Sequence, residues 1–86
     1  MKHVFVINPA AGKENSYETI KTALEALETP VDYELYQTQG VGDATTYIKK
    51  YCETYTEPVR FYACGGDGTL NEVVNGVVGN PQASLG

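Results

Sequence analysis

The run VFVI, Val4 to Ile7, contains no polar residue and stops at Asn8-Pro9. A strand that is apolar on both faces has to be covered on both, as in a parallel sheet sandwiched between helices. The rest of the chain fits that demand. A helix is expected from about Ser16 to Glu28, where Tyr17, Ile20, Leu24 and Leu27 recur at helical spacing and Pro30 lies beyond the stop. Val31, Tyr33 and Leu35 alternate with Asp32 and Glu34 as a second strand with one wet side. The turn TQGVGD leads into a second helix with Asp43 as the expected N-cap and Ala44, Tyr47, Ile48, Tyr51, Cys52 and Tyr55 on one face. Val59, Phe61 and Ala63 alternate in a third strand that runs into Cys64-Gly65. A third helix is expected from near Thr69. Val73, Val74, Val77 and Val78 form its apolar side, and Thr69 and Glu72 have the spacing of a capping box.

This alternation is βαβαβα, an α/β chain whose short crossovers make a parallel sheet with helices on both faces, a three-layer α/β/α arrangement. Strand order decides where a ligand sits. With the order 2-1-3, the chain reverses direction at the first strand, and the loops after strands one and three face each other across a crevice. Those loops are NPAAGK and GGDGTLNE, which carry much of the chain's glycine outside regular elements. The whole is one small domain of 86 residues, with no internal repeat or linker.

Charge narrows the partners. The formal net charge is −5 and no basic block is present, which argues against nucleic acid. An anion has to be held locally, by backbone donors, one or two lysines or a metal. Cys52 and Cys64 lack metal-ligand spacing and read as buried, reduced thiols, which suits a cytoplasmic protein. The apolar run after Met-Lys-His is too short for a signal-peptide core, and nothing approaches a membrane span.

Gly65, Gly66 and Gly68 remove Cβ atoms where the chain turns into a helix, so backbone amides can approach a phosphate and the helix N-terminus adds partial positive charge. A plain strand-to-helix turn needing positive φ explains the glycines equally well. Asp67 favours function, because a carboxylate in an anion loop repels phosphate unless a cation lies between them or it accepts a proton from an attacking hydroxyl. Glu72 serves equally as the capping-box partner or as a nucleotide-site residue, and Asn71 lies beside it in the first turn. Lys13 can reach a phosphate from the facing loop. Thr38, at the end of the second strand, is a turn residue or a partner for a sugar or base edge. His3 and the seven tyrosines read as structural, and no Ser-His-Asp, Cys-His or P-loop arrangement can be assembled.

The run GGDGTLNEVVNG, Gly65 to Gly76, resembles the signature of the diacylglycerol kinase catalytic domain family, which embraces bacterial lipid kinases and, more distantly, sphingosine and ceramide kinases. VINPAAGK, from Val6, resembles the family's N-terminal motif, and TQGVGDAT, from Thr38, its middle motif. GGDGT alone also fits NAD kinases. Asn-Glu after GGDGTL and the NP-x-x-G loop point to the lipid branch. The resemblance implies the N-terminal domain of an NAD kinase/diacylglycerol kinase-like fold and transfer of the γ-phosphoryl group of ATP to a lipid hydroxyl, with Mg²⁺. It also implies that Ala10, Ala11, Gly12, Lys13, Thr38, Gly65, Gly66, Asp67, Gly68, Thr69, Asn71 and Glu72 line the nucleotide site, with Asn8 shaping the first loop. Asp67 is then the acidic residue at the transfer centre, positioning the metal or acting as base, and no further metal ligand is expected in this stretch.

Two departures from the family pattern matter. Such kinases are several times longer, and this chain ends at Ala83-Ser84-Leu85-Gly86, where a fourth strand is due. The family's next glycine-rich loop and its β-rich domain, which holds the lipid pocket, are absent. Ala11 also replaces a serine found in many members. The expectation is therefore the ATP-binding half of a lipid kinase, inactive alone, cytoplasmic and in its full-length form able to sit peripherally at a membrane. The competing readings are a stand-alone nucleotide-binding module and an NAD kinase-like enzyme. The cut also leaves the third strand as a free edge, through which this chain is expected to dimerise.

Overall fold

In the computed structural model, which describes residues 1–9 and 16–86, the chain runs β1 (Lys2–Ile7), α1 (Ser16–Glu25), β2 (Tyr33–Gln37), α2 (Asp43–Thr54), β3 (Val59–Cys64), α3 (Asp67–Val77) and β4 (Ala83–Leu85). The described strands form one parallel sheet in the order β2-β1-β3-β4. The expected order 2-1-3 is present within it. The crossover from β1 to β2 and the one from β2 to β3 run in opposite directions. Right-handed connections therefore put α1 on one face and α2 with α3 on the other.

The apolar run of β1 is buried as its composition demands. Val4 and Val6 are fully buried on the α2/α3 side with Val59, Phe61, Ala44, Ile48, Cys52 and Val73. Ile7, equally buried, lies outside that cluster. On the same alternation Phe5 stacks on Tyr62 at 4.5 Å between ring centroids, and His3 Nδ1 lies 2.8 Å from the Tyr62 hydroxyl. His3 is thus a member of β1, at the end of the strand remote from the loops that follow it.

Several element limits differ from expectation. α1 stops at Glu25 rather than Glu28 and leaves Leu27 exposed. β2 begins at Tyr33, so Val31 precedes it. On α3, Val73 is buried, but Val74 is partly exposed and Val78 is 69% exposed beyond the helix end. The first valine of each pair faces inward, Val73 within the core cluster and Val77 packed against it.

The largest correction concerns β3, which is not a free edge. Ala83, Ser84 and Leu85 pair in parallel with Val59, Arg60 and Phe61, and the Gly86 amide continues the ladder to the Phe61 carbonyl at 2.9 Å. Side chains guide this last strand home. Gln82 Nε2 donates to the Cys52 and Tyr55 carbonyls, and Asn80 Nδ2 donates to the Gly76 carbonyl. Over Val59 to Phe61 the argument for dimerisation through β3 loses its premise, since an edge already paired is no template for another chain.

The α2/α3 contact is close at Gly76, which is buried. A Cβ there would lie 2.8 Å from Ile48 Cβ, an atom too near its own backbone to swing aside. Gly76→Ala gains about 1 kcal/mol of helix propensity but incurs overpacking of about 1–3 kcal/mol. The expected outcome is a lower urea midpoint with an unchanged m-value, and an unchanged or higher midpoint would mean that the helices do not approach this closely.

Tyrosines line the flank of α2 that faces β2. Tyr36 stacks on Tyr47 at 3.7 Å, and the Tyr51 hydroxyl donates to Glu34. Burial, with smaller contributions from Glu34 and Tyr36, pushes the Tyr47 phenol up to about 12. A phenol harder to ionise in the folded chain loses its proton first in the unfolded chain. Stability is therefore intact below the ordinary value of about 10 and falls as pH rises from there to about 12. Tyr47→Phe should flatten that fall, as urea midpoints on either side of pH ~10 will show.

Candidate functional site

The end of β1 is fastened to both neighbours. The Thr38 amide donates to the Ile7 carbonyl at 2.8 Å, and the Asn8 amide donates to the Cys64 carbonyl at 3.0 Å. The chain leaves β1 just where its two flanking strands end, so three loops converge over one strand terminus. A cavity of about 180 Å³ opens there, lined by Asn8, Thr38, Gly40, Val41, Ala44, Thr69 and Glu72. Its place at the carboxyl ends of the strands is where open α/β sheets take ligands.

Of the residues singled out from sequence, Asn8, Thr38, Thr69 and Glu72 meet at this cavity. Gly65, Gly66, Asp67, Gly68 and Asn71 do not line it. They form the exposed loop and first turns of α3, the helix that supplies Thr69 and Glu72. Ala10, Ala11, Gly12 and Lys13 lie outside the described residues. Gly40, Val41 and Ala44 were missed as lining residues, although they belong to the TQGVGDAT stretch and the turn itself was recognised.

The glycines of the Gly-Gly-Asp-Gly loop are there for different reasons. A Cβ on Gly65 would lie 2.5 Å from Thr69 Oγ1 and 3.2 Å from Asn8 Cβ, so packing requires glycine. Gly66, at φ −88° and ψ −168°, is extended, and a Cβ on Gly66 or Gly68 would meet nothing within 4 Å. Neither has the positive φ that the plain-turn reading called for. The fold gives no reason for glycine at 66 or 68.

Both expected helix caps are corrected. α3 begins at Asp67, with Gly66 as N-cap and no side-chain cap bond, and the Thr69 and Leu70 amides donate to the Gly66 carbonyl. Thr69 is drawn beneath the loop and is 5% exposed, so it does not cap the helix and no capping box forms. Glu72 instead reaches the other helix, where its Oε1 accepts the Ala44 amide at 3.2 Å. α2 begins at Asp43 after Gly42, which is left-handed at φ 83°. Asp43 Oδ2 accepts the Gln39 amide at 2.8 Å and the Tyr36 hydroxyl at 2.7 Å, tying the turn to β2. Asp67 is exposed in the first turn of α3, where a carboxylate is favoured by the helix N-terminus. Cys64, just before the loop, is half-buried, and burial pushes its thiol up, away from the reactive thiolate. Among the described residues no group of three or more His, Cys, Asp or Glu gathers as a metal-binding cluster, and no helix is long and apolar enough to cross a membrane.

Fold and site together define an open, doubly wound α/β protein with its crevice at the strand carboxyl ends, beside a glycine-rich helix entry. Residues 2–86 match the diacylglycerol kinase catalytic domain, and the chain belongs to that family. It is 41% identical over 83 residues to the diacylglycerol kinase of Staphylococcus saprophyticus, covering 94% of this chain and 27% of that protein. With the diacylglycerol kinase of Staphylococcus aureus it shares 42% identity over 80 residues, 90% of this chain and 24% of the relative. A crystal structure of a candidate diacylglycerol kinase from Bacillus anthracis superposes at a TM-score of 0.68 and 25% identity, covering 98% of this chain and 30% of that one. The chain thus spans about a quarter of the length of the curated relatives it matches.

The division among the glycines predicts a contrast in stability. Gly65→Ala forces Thr69 aside and should lose about 1–3 kcal/mol. Gly66→Val suits the extended backbone at that position and should lose no more than about 1 kcal/mol, the usual effect of a poorer N-cap. Thermal melts of the two variants decide it, and equal losses would mean that the loop is packed differently.

Proposed function

We propose that the chain is the nucleotide-binding part of an ATP-dependent lipid kinase, which transfers the γ-phosphoryl group of ATP to a hydroxyl of a lipid such as diacylglycerol. The observation that carries this reading is the pair Gly66 and Gly68, glycines at a helix entry with neither positive φ nor a neighbour to demand them. Backbone left bare without structural need is backbone that something outside the chain approaches, and at a helix N-terminus that something is best an anion. The family membership supplies the class of reaction, and it favours the lipid branch over the NAD kinase-like one.

The cavity of about 180 Å³ is smaller than a drug-sized ligand's site of roughly 300–1,000 Å³. In this reading it takes the nucleoside end, between Thr38 and Val41 on one wall and Thr69 on the other. The polyphosphate runs outward over Gly66 and Gly68, with Lys13 on the facing loop. Asp67 then stands beside the terminal phosphate. A single carboxylate together with substrate phosphates is the donor set Mg²⁺ favours, so Asp67 fits as its holder. When bound, the metal neutralises phosphate oxygens. In the transfer itself the lipid oxygen bonds to the γ-phosphorus as the bond to the bridging oxygen breaks. ADP leaves, and the hydroxyl proton passes to a base, for which Asp67 is also placed. Most of the rate in such chemistry comes from positioning and charge neutralisation.

In the full-length enzyme that this reading requires, Asp67→Asn should lower turnover by at least about a hundredfold. The fold-neutral Gly66→Val should remove ATP binding by blocking the approach of phosphate to the backbone. Labelled ATP with diacylglycerol in mixed micelles measures the first and calorimetry the second. Near wild-type turnover in Asp67→Asn would take that residue out of the chemistry, and unchanged affinity in Gly66→Val would leave the bare glycines unexplained.

A further inference from the structure

We infer that Glu72 is a positioning residue: it caps α2 from α3, and that bond sets the separation of the two walls between which the nucleotide binds. The inference rests on the nucleotide reading of the cavity. It differs from a direct contact between Glu72 and the ligand.

The need for such a cap is visible at the start of α2. Its N-cap is Gly42, which has no side chain to offer and makes no side-chain cap bond. Asp43, the residue with a suitable carboxylate, turns back to the Gln39 amide and the Tyr36 hydroxyl. That leaves the Ala44 amide, in the second helical position where a cap normally bonds, without a local acceptor. Glu72 Oε1 supplies it at 3.2 Å from across the cavity. The exchange runs both ways, since Thr45 Oγ1 donates to the Glu72 carbonyl at 2.7 Å. Two bonds thus join the first turn of α2 to α3, as a capping box does within one helix.

The place of the clamp gives it a role beyond stability. Ala44 follows the Gly40-Val41 turn, and these residues with Thr38 make one wall of the cavity, while Thr69 and Glu72 make the other. Further along, the helices are already locked by the close approach of Gly76 to Ile48. At the cavity end, beside Ala44 and Val73 in the core cluster, the Glu72–Ala44 and Thr45–Glu72 bonds join the two walls. Breaking the cap frees the α2 end to splay from α3 and widens the space a ligand must fill, while the packed half of the pair keeps the fold together.

Two variants separate this from a direct role. Glu72→Ala removes the acceptor, and Glu72→Gln keeps an acceptor oxygen on a side chain of the same length while removing the charge. In the ¹⁵N-labelled full-length enzyme, hydrogen exchange at the Ala44 amide reads the cap, and the shifts of the Thr38 and Thr69 amides during titration with Mg-ATP read the affinity. In Glu72→Ala the Ala44 amide should exchange at least about tenfold faster and the dissociation constant should rise by about tenfold. Glu72→Gln should recover both to within about threefold of wild type. Unchanged Ala44 exchange in Glu72→Ala would overturn the cap. A Gln variant with Ala44 protected but binding as weak as the Ala variant would overturn the positioning role, because the carboxylate charge would then act on nucleotide or metal directly. If the wild-type chain gave no shifts with Mg-ATP, the nucleotide reading itself would fall and the positioning role with it, while the exchange rates would still judge the cap.

Discussion

The structure hangs on β1 being paired along both of its edges. Its register matches Val4 to Glu34 on one side and to Phe61 on the other, and both ladders run on past the strand's end through the Thr38 and Asn8 amides. Side chains alternate along a strand, so a slip of one residue against either neighbour would carry Val4 and Val6 out of the core and swing Asn8 away from the cavity. VFVI, apolar on both faces, would not resist that slip by itself, and the alternating patterns of β2 and β3 paired against it set the register. The constraint that buries VFVI is therefore the one that brings the first, second and third loops to one point. Site geometry here is a consequence of core formation.

Nine glycines are spread through this chain, and their reasons for being glycine separate fold from function. Gly42 and Gly79 have positive φ and end or begin helices. Gly65 and Gly76 are excluded from having a side chain by Thr69 and Ile48. Gly66 and Gly68 meet neither demand. Loops that bind ligands often combine such classes, because the same helix entry must be packed against its strand on one side and stay bare on the other. Gly65 fixes Thr69 beneath the loop so that the next residues can present amides outward.

What was legible in the sequence was whatever depends on periodicity. The three long strands and the tyrosine-bearing face of α2 follow from patterns of two and of three to four residues, while the order 2-1-3 follows from the two glycine-bearing loops that it sets facing each other. Local side-chain rules did worse. Thr69 and Glu72 have the spacing of a capping box, yet Thr69 is buried and Glu72 serves a helix distant in sequence. Asp43 precedes an apolar face as an N-cap does, yet a left-handed glycine takes that place. Such rules describe an isolated helix, and tertiary partners outbid them when a better acceptor or a buried space is near. The β4 strand was legible only through the family resemblance, which places a fourth strand at Ala83, and not from its own pattern. Ala83, Ser84 and Leu85 are too few to show alternation, and their pairing is dictated by the open side of β3 and by Gln82, whose bonds reach back to Cys52 and Tyr55, with Asn80 fastening the preceding turn locally to Gly76. The cavity was half legible, since Thr38 was recognised as an end-of-strand polar group but the wall made by Gly40, Val41 and Ala44 appears only once α2 is packed against α3.

The charge of the chain determines what kind of grip such a site can have. At a net −5, with Asp67 exposed at the loop, these 86 residues carry no field that would draw a polyphosphate in from a distance. Long-range steering requires a field of the opposite sign, and here the field is unfavourable on approach. Recognition has then to act at contact range, through amides that cost little to preorganise because the helix already holds them in place. On the proposed reading, a cation carried in with the phosphates would remove the repulsion by Asp67 at the moment of contact. On the nucleotide reading proposed above, the glycines that let the backbone approach and the carboxylate that repels a bare anion are two halves of one filter. On that reading it admits a phosphate that comes with its cation and disfavours one that comes alone.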